Sequence, residues 1–549
     1  MRRLPSYEQH GMWIAQDLRG RTDTSFLVRR VFRIRGALDV TALRDAISDV
    51  VARHEPLRTT FAVSEGRLTQ VISAPRVFDL LVERVPDDIP DTNAWIDGRI
   101  AWLYAKGVDL EHGPVLSARL FAKGPDDHVL MLLVHHIAVD GWSFEILYRE
   151  LDAFYAARLD GREPGLPELP LTYGQWADEC RQSAERGEGT AALAYWHAQL
   201  HDLPAPLLLP TDRPGHDDME YRAERIGRDL DEETLAGVEQ LARVTRSTPF
   251  AVLLIAFAAL LGHWSGRRDL VLGVATANRS APVTHELVGC FASVLPVRLR
   301  LDPGKSFTEV LREGRVALVH AQEHELPFER IVQMLPPRPG AALEPLFRVG
   351  VSSVQGFGAS LLLQGTQVEP APIEITHVPH DLLASLELAR GRGRVDLAYP
   401  VAVFDRRTIE ELLDCYLDIL RAVVRDPRLP ISAASPLALP VRSARLPAED
   451  PAPPQADPGD AQNVGRLTGE LEILVAKVWA EVLEVEVRSG EDDFFLLGGS
   501  SLTAVRVVDE LSRAISVTVP LRTVYEYSDL SQLAERLALL RASTPRDKA

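Results

Sequence analysis

The residues best suited to chemistry sit together at 130–143, in LMLLVHHIAVDGWS. An apolar run there leads straight into His135 and His136, and Asp140 and Gly141 follow one short turn later. Successive side chains on a strand point to opposite faces, so two adjacent histidines cannot easily share one metal ion or line one cavity. One imidazole is expected to be chemical and the other structural. The spacing of His136 and Asp140 suggests a strand end that delivers an imidazole into a cleft while the acid turns back to hold the loop. A neutral imidazole can accept or share a proton from an attacking amine or alcohol. Gly141 lets backbone approach a ligand closely or take a positive φ. A pair of hydrogen-bonded core histidines beside an Asp turn, or a metal site, would use the same residue types.

A second constellation is DDFFLLGGSSLTAVRVVDEL, residues 492–511. Gly498 and Gly499 allow a tight, accessible turn before Ser501, which opens an amphipathic helix with Leu502, Val505 and Val508 at helical spacing. A phosphodiester on that serine would face free N–H groups and the positive end of the helix dipole. An N-cap serine accounts for the local pattern without any chemistry. A loop for nucleotide phosphates needs GxxxxGK[ST], which does not occur.

These residues need a scaffold, and the chain is long enough for several. Its 549 residues are 46% hydrophobic and 25% charged, the balance of an ordinary globular protein. The net charge of −18, from 60 basic and 78 acidic residues, opposes binding to phosphate backbones and anionic membrane surfaces. Cys180, Cys290 and Cys415 are far apart and lack metal or redox spacing, which fits a reducing, cytoplasmic setting. No stretch has the length of a membrane span, and Phe250–Leu261, the most apolar, reads as a buried core helix.

Helical spacing over 41–54, a doubly buried strand over 127–136, a helix at 249–263, a strand at 269–276 and a helix at 408–424 predict a mixed α/β body over residues 1–435. Residues 436–465 are rich in Pro, Ala and Asp and read as an extended linker. Residues 466–541 show only helical patterns and predict a small four-helix bundle, followed by a tail at 542–549. Between 466 and 536 there are 13 acidic and 7 basic residues, so its surface is expected to be negative.

HHIAVDGWS resembles the active-site motif of condensation domains of non-ribosomal peptide synthetases, relatives of the chloramphenicol acetyltransferase-like acyltransferases. Other stretches agree in order. Ser6, Gln9 and Trp13 match the first motif, with Glu8 and Gly11 in place of the usual Ala and Arg. Arg53, His54, Glu55, Leu57, Arg58, Thr59 and Phe61 match the second. Tyr173 and Trp176 resemble the fourth. Gly289 and Phe291 keep part of the fifth, where Ala292, Ser293 and Val294 depart. Pro327, Phe328 and Glu329 keep the end of the sixth, with Glu323 at its usual His, and Pro345, Leu346 and Phe347 resemble the seventh. The resemblance implies two acetyltransferase-like lobes forming a V, about 1–175 and about 176–435, with His136 near the middle of a tunnel between them. It assigns His136 to position or deprotonate the acceptor, and His135 and Asp140 to hold the loop; Asp140 is expected to pair with Arg58 as structural support. Heterocyclisation domains carry Asp in place of the histidines, and epimerisation domains a different tail after the Asp; neither pattern is seen.

Asp493, Phe494, Phe495, Gly498, Gly499, Ser501 and Leu502 resemble the attachment site of peptidyl carrier proteins, with Ser500 where His or Asp is common. The resemblance implies 4'-phosphopantetheine on Ser501, placed there by a separate phosphopantetheinyl transferase. Nothing resembles an adenylation domain. The whole reads as a condensation–carrier didomain, an acyltransferase that joins a thioester donor to an acceptor amine. The donor is expected on another carrier protein, and the acceptor on the local carrier, loaded by an adenylation enzyme in trans. A free acceptor, with the donor on the local carrier, is left open, as are an alcohol acceptor giving an ester and a non-catalytic docking scaffold. Neither metal, nucleic acid nor membrane is expected.

Overall fold

The computed structural model describes residues 1–20, 23–64, 66–203, 207–213, 222–335, 346–354, 361–372, 378, 380–389, 391–433, 467, 469–483, 485–499 and 501–543. The linker expected at 436–465 lies outside them, as do Ser500, Pro345 and residues 544–549 of the tail.

The strand Asp127–His135 is central to a five-stranded sheet ordered Thr366–Pro370, Leu27–Gly36, Asp127–His135, Leu116–Ala122, Leu81–Arg84. Its alternation decides its surroundings. Leu130, Leu132 and Val134 enter one core with the helices Val40–Arg53 and Gly141–Asp160, whereas Met131 and Leu133 enter another with Ile96, Ile100 and Leu103 of the helix Thr92–Ala105. A strand covered on both faces reads as a continuous apolar run, which is why 130–134 shows no polar residue. The helix Val40–Arg53 is capped by Asp39, which accepts the Ala42 N–H at 2.8 Å, and buries Leu43, Ala46, Ile47, Val50 and Val51 as their spacing requires.

A six-stranded sheet follows the order Ser293–Arg300, Asp269–Thr276, Val349–Val354, Leu382–Ala389, Arg392–Pro400, Ala223–Asp229. The helix Pro249–Ser265 is apolar on all sides because it lies inside this core, packed with the helix Arg406–Arg425. No single described helix is long and apolar enough to cross a membrane. The strand Thr366–Pro370 pairs with Leu27–Gly36, so the chain returns from the second body to complete the sheet of the first. The architecture is the expected two-lobed α/β body, joined to a small α-helical unit.

That unit contains the helices Glu470–Leu483, Ser501–Ile515, Arg522–Glu526 and Leu530–Ser543 around Trp479, Phe494, Leu511, Val524 and Leu537. Its cluster also takes in Ile14 from the helix Tyr7–Arg19.

Candidate functional site

The strand Asp127–His135 ends where its ladder ends. The His135 N–H donates to Val115 O at 2.9 Å and the His136 N–H to Phe26 O at 2.8 Å, after which the chain turns through the 3-10 segment His136–Ala138. The two histidines then differ as the alternation predicts. His135 is buried; its Nδ1 accepts the Ile137 N–H at 3.1 Å, and its Nε2 faces Gln16 Oε1 at 3.4 Å. Burial, with His136 adding to it, pushes its pKa down to about 3, so the ring is neutral. His136 is half-buried, and its Nδ1 has no hydrogen-bond partner. Burial lowers its pKa, with Asp140 opposing and Arg30 reinforcing the shift. A neutral imidazole can accept a proton, and since Nδ1 is enclosed, a substrate would have to meet the ring at its other nitrogen.

Asp140 caps the helix Gly141–Asp160, accepting Ser143 N–H at 2.8 Å and the Ser143 hydroxyl at 2.7 Å. Gly141 is the exposed first residue of that helix and is not among the positive-φ glycines, so of its expected uses only close approach of a ligand remains.

The expected partner of Asp140 is corrected. Arg279, not Arg58, holds it: one guanidinium nitrogen donates to both carboxylate oxygens at 3.0 Å, and both side chains are 1% exposed. Arg58 instead donates to the carbonyls of Ser73 and Ala52, fastening the turn before its own strand Thr59–Ser64. Its two terminal nitrogens are turned to these carbonyls, and its Nε is buried without a partner, so no nitrogen of Arg58 meets Asp140. Arg279 also donates to Thr284 O and, at 2.8 Å, to Leu287 O, and lies 3.9 Å over the Phe291 ring, whose own N–H reaches Asp140 at 3.2 Å. Sequence reasoning missed Arg279. It follows a strand end with no periodicity to mark it, and its only signal is its place ten residues before Gly289.

The motif residues converge around this pair. Gln9 donates to Ile137 O at 3.1 Å and so grips the histidine turn; Ser6 caps the same helix, and Tyr173 bridges Ser6 Oγ at 2.9 Å and Cys290 O at 2.8 Å. A Cβ on Gly289 would stand 2.1 Å from the Tyr173 ring, so glycine is needed there. Trp176 lies 4.4 Å from Phe291 between ring centres. Arg53 and His54 meet the buried Glu150 at 3.0 and 2.7 Å and hold the helix Gly141–Asp160 farther along. Glu329 meets His10 at 2.9 Å. Phe347 covers Gly273, where a Cβ would be 2.1 Å away, while Glu323 is exposed at a helix end.

Of the departures, Glu8 is the most chemical. It lines a cavity of about 270 Å³ with Tyr7, Trp176, Asn278, Glu325 and Arg330, and burial raises its pKa to about 7. His136 is not part of that lining. Among the described residues no group of His, Cys, Asp and Glu could hold a metal ion.

In the helical unit, Gly498 has φ +94°, and a Cβ on Gly499 would lie 2.4 Å from the Phe494 ring. Both positions therefore require glycine, and the turn they make brings the chain to Ser501, the first residue of a helix of 15 residues. That N-terminus suits a phosphodiester on the serine.

Fold and site together define a two-lobed acetyltransferase-like body coupled to a carrier-type helical unit. The chain belongs to the condensation domain family, whose description, Condensation domain, matches residues 5–438; a second, Phosphopantetheine attachment site, matches 474–537. The latter segment is the site for covalent 4'-phosphopantetheine. Among curated proteins, the chain is 33% identical over 428 residues to chondramide synthase cmdD of Chondromyces crocatus, covering 77% of this chain and 11% of that protein. It is 32% identical over 437 residues to phosphinothricin tripeptide synthetase PhsC of Streptomyces viridochromogenes, covering 78% of this chain and 40% of that protein. The chain thus spans well under two thirds of these relatives. Among solved structures, the X-domain from teicoplanin biosynthesis matches with TM-score 0.71 and 26% identity, over 78% of this chain and 97% of its own. A four-domain nonribosomal peptide synthetase shares the fold with TM-score 0.68 and 17% identity, over 90% of this chain and 37% of that one.

Proposed function

We propose that the chain is a condensation–carrier didomain of non-ribosomal peptide assembly, an acyltransferase that joins a carrier-bound acyl or peptidyl thioester to an acceptor amine as an amide. The observation that carries this reading is His136: half-buried, kept neutral by burial, and placed at a strand end beside the turn that the buried Asp140–Arg279 pair holds. The new C–N bond forms as the C–S bond breaks, and the proton lost by nitrogen ends on the leaving thiolate, with His136 positioning the amine or carrying that proton. His135 and Asp140 hold the turn, Asp140 through Arg279. Attached phosphopantetheine supplies the thiol that carries cargo as a thioester, and Ser501 is the residue that takes it. A thioester is already activated, so alignment does most of the work; confinement of two reactants removes ~7–11 kcal/mol of barrier when well oriented.

The partners of this reading are a donor carrier protein, an adenylation enzyme acting in trans and a phosphopantetheinyl transferase, in the cytoplasm. The test is a reconstituted reaction with loaded carriers, in which His136→Ala abolishes product; product at the wild-type level refutes the assignment. Intact mass after incubation with coenzyme A and the transferase shows the phosphopantetheine increment in the native chain and none in Ser501→Ala. Competing amine and alcohol acceptors, resolved by mass spectrometry, separate amide from ester formation. A docking scaffold is the second reading. It is favoured by the likeness to the teicoplanin X-domain, a structure of which is a complex with OxyB. Absence of turnover with loaded carriers would support it.

A further inference from the structure

Glu8 has no part in the proposed reaction, yet it lines the cavity of about 270 Å³. The walls come from the helix Tyr7–Arg19, the helix Tyr173–Glu185, the loop after the strand Asp269–Thr276 and the turn before the helix Phe328–Gln333. Two of its carboxylates are poorly supplied with donors. Glu8 Oε1 is met by Asn278 Nδ2 at 3.4 Å, the long end of a hydrogen bond. Glu325 Oε1 is enclosed and has no hydrogen-bond partner. Burial raises the pKa of both acids. An enclosed oxygen without a donor is costly, and a ligand that brings N–H groups and positive charge offsets that cost. Arg330 is the base of the lining, and Glu188, a third acid there, is already paired with Arg186 at 2.7 Å. Glu8 and Glu325 against Arg330 leave one negative charge for a ligand to balance. Arg181 stands outside the lining, 4.5 Å over the Tyr7 ring, and its Nε donates to Pro5 O at 2.6 Å. Trp176 supplies an aromatic wall, whose face attracts cations. A metal ion is a poor match, since among the described residues no group of His, Cys, Asp and Glu could hold one.

We propose that this cavity is a binding site for a small organic ammonium ion. Glu8 and Glu325 supply the negative charge, and Trp176 and Leu326 the apolar contact for its alkyl part. His136 does not line the site, but two supports of the histidine turn adjoin it. Gln9 follows Glu8 and donates to Ile137 O; Arg279 follows Asn278 and holds Asp140. The same chemistry has two sources, a free amine and the basic side chain of an acceptor. The second source rests on the proposed function, and the site itself does not.

The probe is n-butylammonium added to the full chain and followed by saturation-transfer NMR, with n-butanol as its neutral isostere. Butylammonium is expected to bind about tenfold more tightly than butanol, and Glu8→Gln and Glu325→Gln are each expected to weaken it about tenfold. Glu8→Ala, which places there the residue the family usually carries, is the second variant; with its fold checked by thermal unfolding, it too should lose the preference for the ammonium ion. The amine stays protonated below about pH 10, so its affinity should fall from about pH 8 to about pH 6 as Glu8 takes up a proton. Glu8 titrates there in the field of Arg181, Glu329, Tyr173, Cys180 and Cys290, with Glu325 and Arg330 in the same lining. Equal binding of butanol, binding unchanged in both glutamine variants, or affinity that does not fall toward pH 6 overturns the site. Lysyl and norleucyl groups loaded on the carrier at Ser501 separate the sources. Preference for the lysyl acceptor, lost in Glu8→Gln, assigns the cation to substrate; equal turnover of both, with butylammonium still bound, assigns it to a separate amine, and either result upholds the site. If the unmodified chain binds butylammonium yet condenses neither acceptor, the proposed function fails and the site stands.

Discussion

Replacing Arg279 by Met keeps an apolar stem of similar length and removes the guanidinium that meets Asp140 at 3.0 Å with both groups 1% exposed. Breaking a buried pair from one side costs about 3–5 kcal/mol, because the remaining charge is left in a dry site. Asp140 keeps donors from Ser143 N–H at 2.8 Å, the Ser143 hydroxyl at 2.7 Å and Phe291 N–H at 3.2 Å, which places the loss near the lower end. About 3 kcal/mol is roughly a hundredfold in the folding equilibrium, since ~1.4 kcal/mol is tenfold. Urea unfolding of Arg279→Met, Asp140→Asn and the double variant closes a cycle. The double variant should be more stable than the sum of the single losses predicts, by about 2 kcal/mol, since removing the second charge relieves the first. Arg58→Ala, which gives up bonds to Ser73 O and Ala52 O, should combine additively with Asp140→Asn to within about 0.5 kcal/mol. Coupling of Asp140 to Arg58 rather than to Arg279 would refute the assignment of the pair.

Three further outcomes follow from the same geometry. Because burial lowers the His136 pKa below the ordinary imidazole value, kcat/KM should hold as pH falls through 6.5 and drop only at lower pH; a midpoint at or above 6.5 contradicts the environment described. For His135, with a folded pKa near 3 against 6.5 unfolded, the unfolded chain binds the extra proton between those values. Its contribution to stability is complete above pH 6.5 and is lost toward pH 3, with a slope of at most about 1.4 kcal/mol per pH unit, so urea unfolding of His135→Gln should show a shallower acid loss than the native chain. Gly289→Ala forces a methyl to 2.1 Å from the Tyr173 ring and should destabilise by about 1–3 kcal/mol or more in thermal unfolding, whereas Gly124→Ala, with open space at its Cβ, should be close to neutral.

Elements with a repeating apolar pattern were legible in the sequence. The helix expected at 41–54 is Val40–Arg53, and the strand expected at 127–136 ends at His135. These patterns exist because one neighbour covers each face, and the covering residues need not be known. The Asp140 partner was not legible for the opposite reason. Arg279 comes from the other lobe, 139 positions away, and an arginine that donates to backbone carbonyls and a carboxylate follows no period. Arg58 lies in a stretch rich in motif residues, yet its terminal nitrogens turn to local carbonyls rather than to Asp140. The crossing of Thr366–Pro370 into the first sheet was likewise hidden, since TQVEP is short and mostly exposed.

The glycines behave differently from the charges, and the contrast explains why the Ser501 turn was legible when the Asp140 pair was not. Gly498 and Gly499 answer to constraints within a few residues: a positive φ at one, and the Phe494 ring at the other. Phe494 is itself part of the string that marks the turn, so cause and consequence lie within one window of sequence. At the histidine turn only half of the support is of that kind. Asp140 and Ser143 are three apart and cap their helix locally, while Gln9 is brought in by packing within its own lobe and Arg279 and Phe291 by the meeting of the lobes. The position of His136 therefore depends on how the lobes meet, so variants at the lobe contacts should alter turnover through His136 even where no substrate touches them.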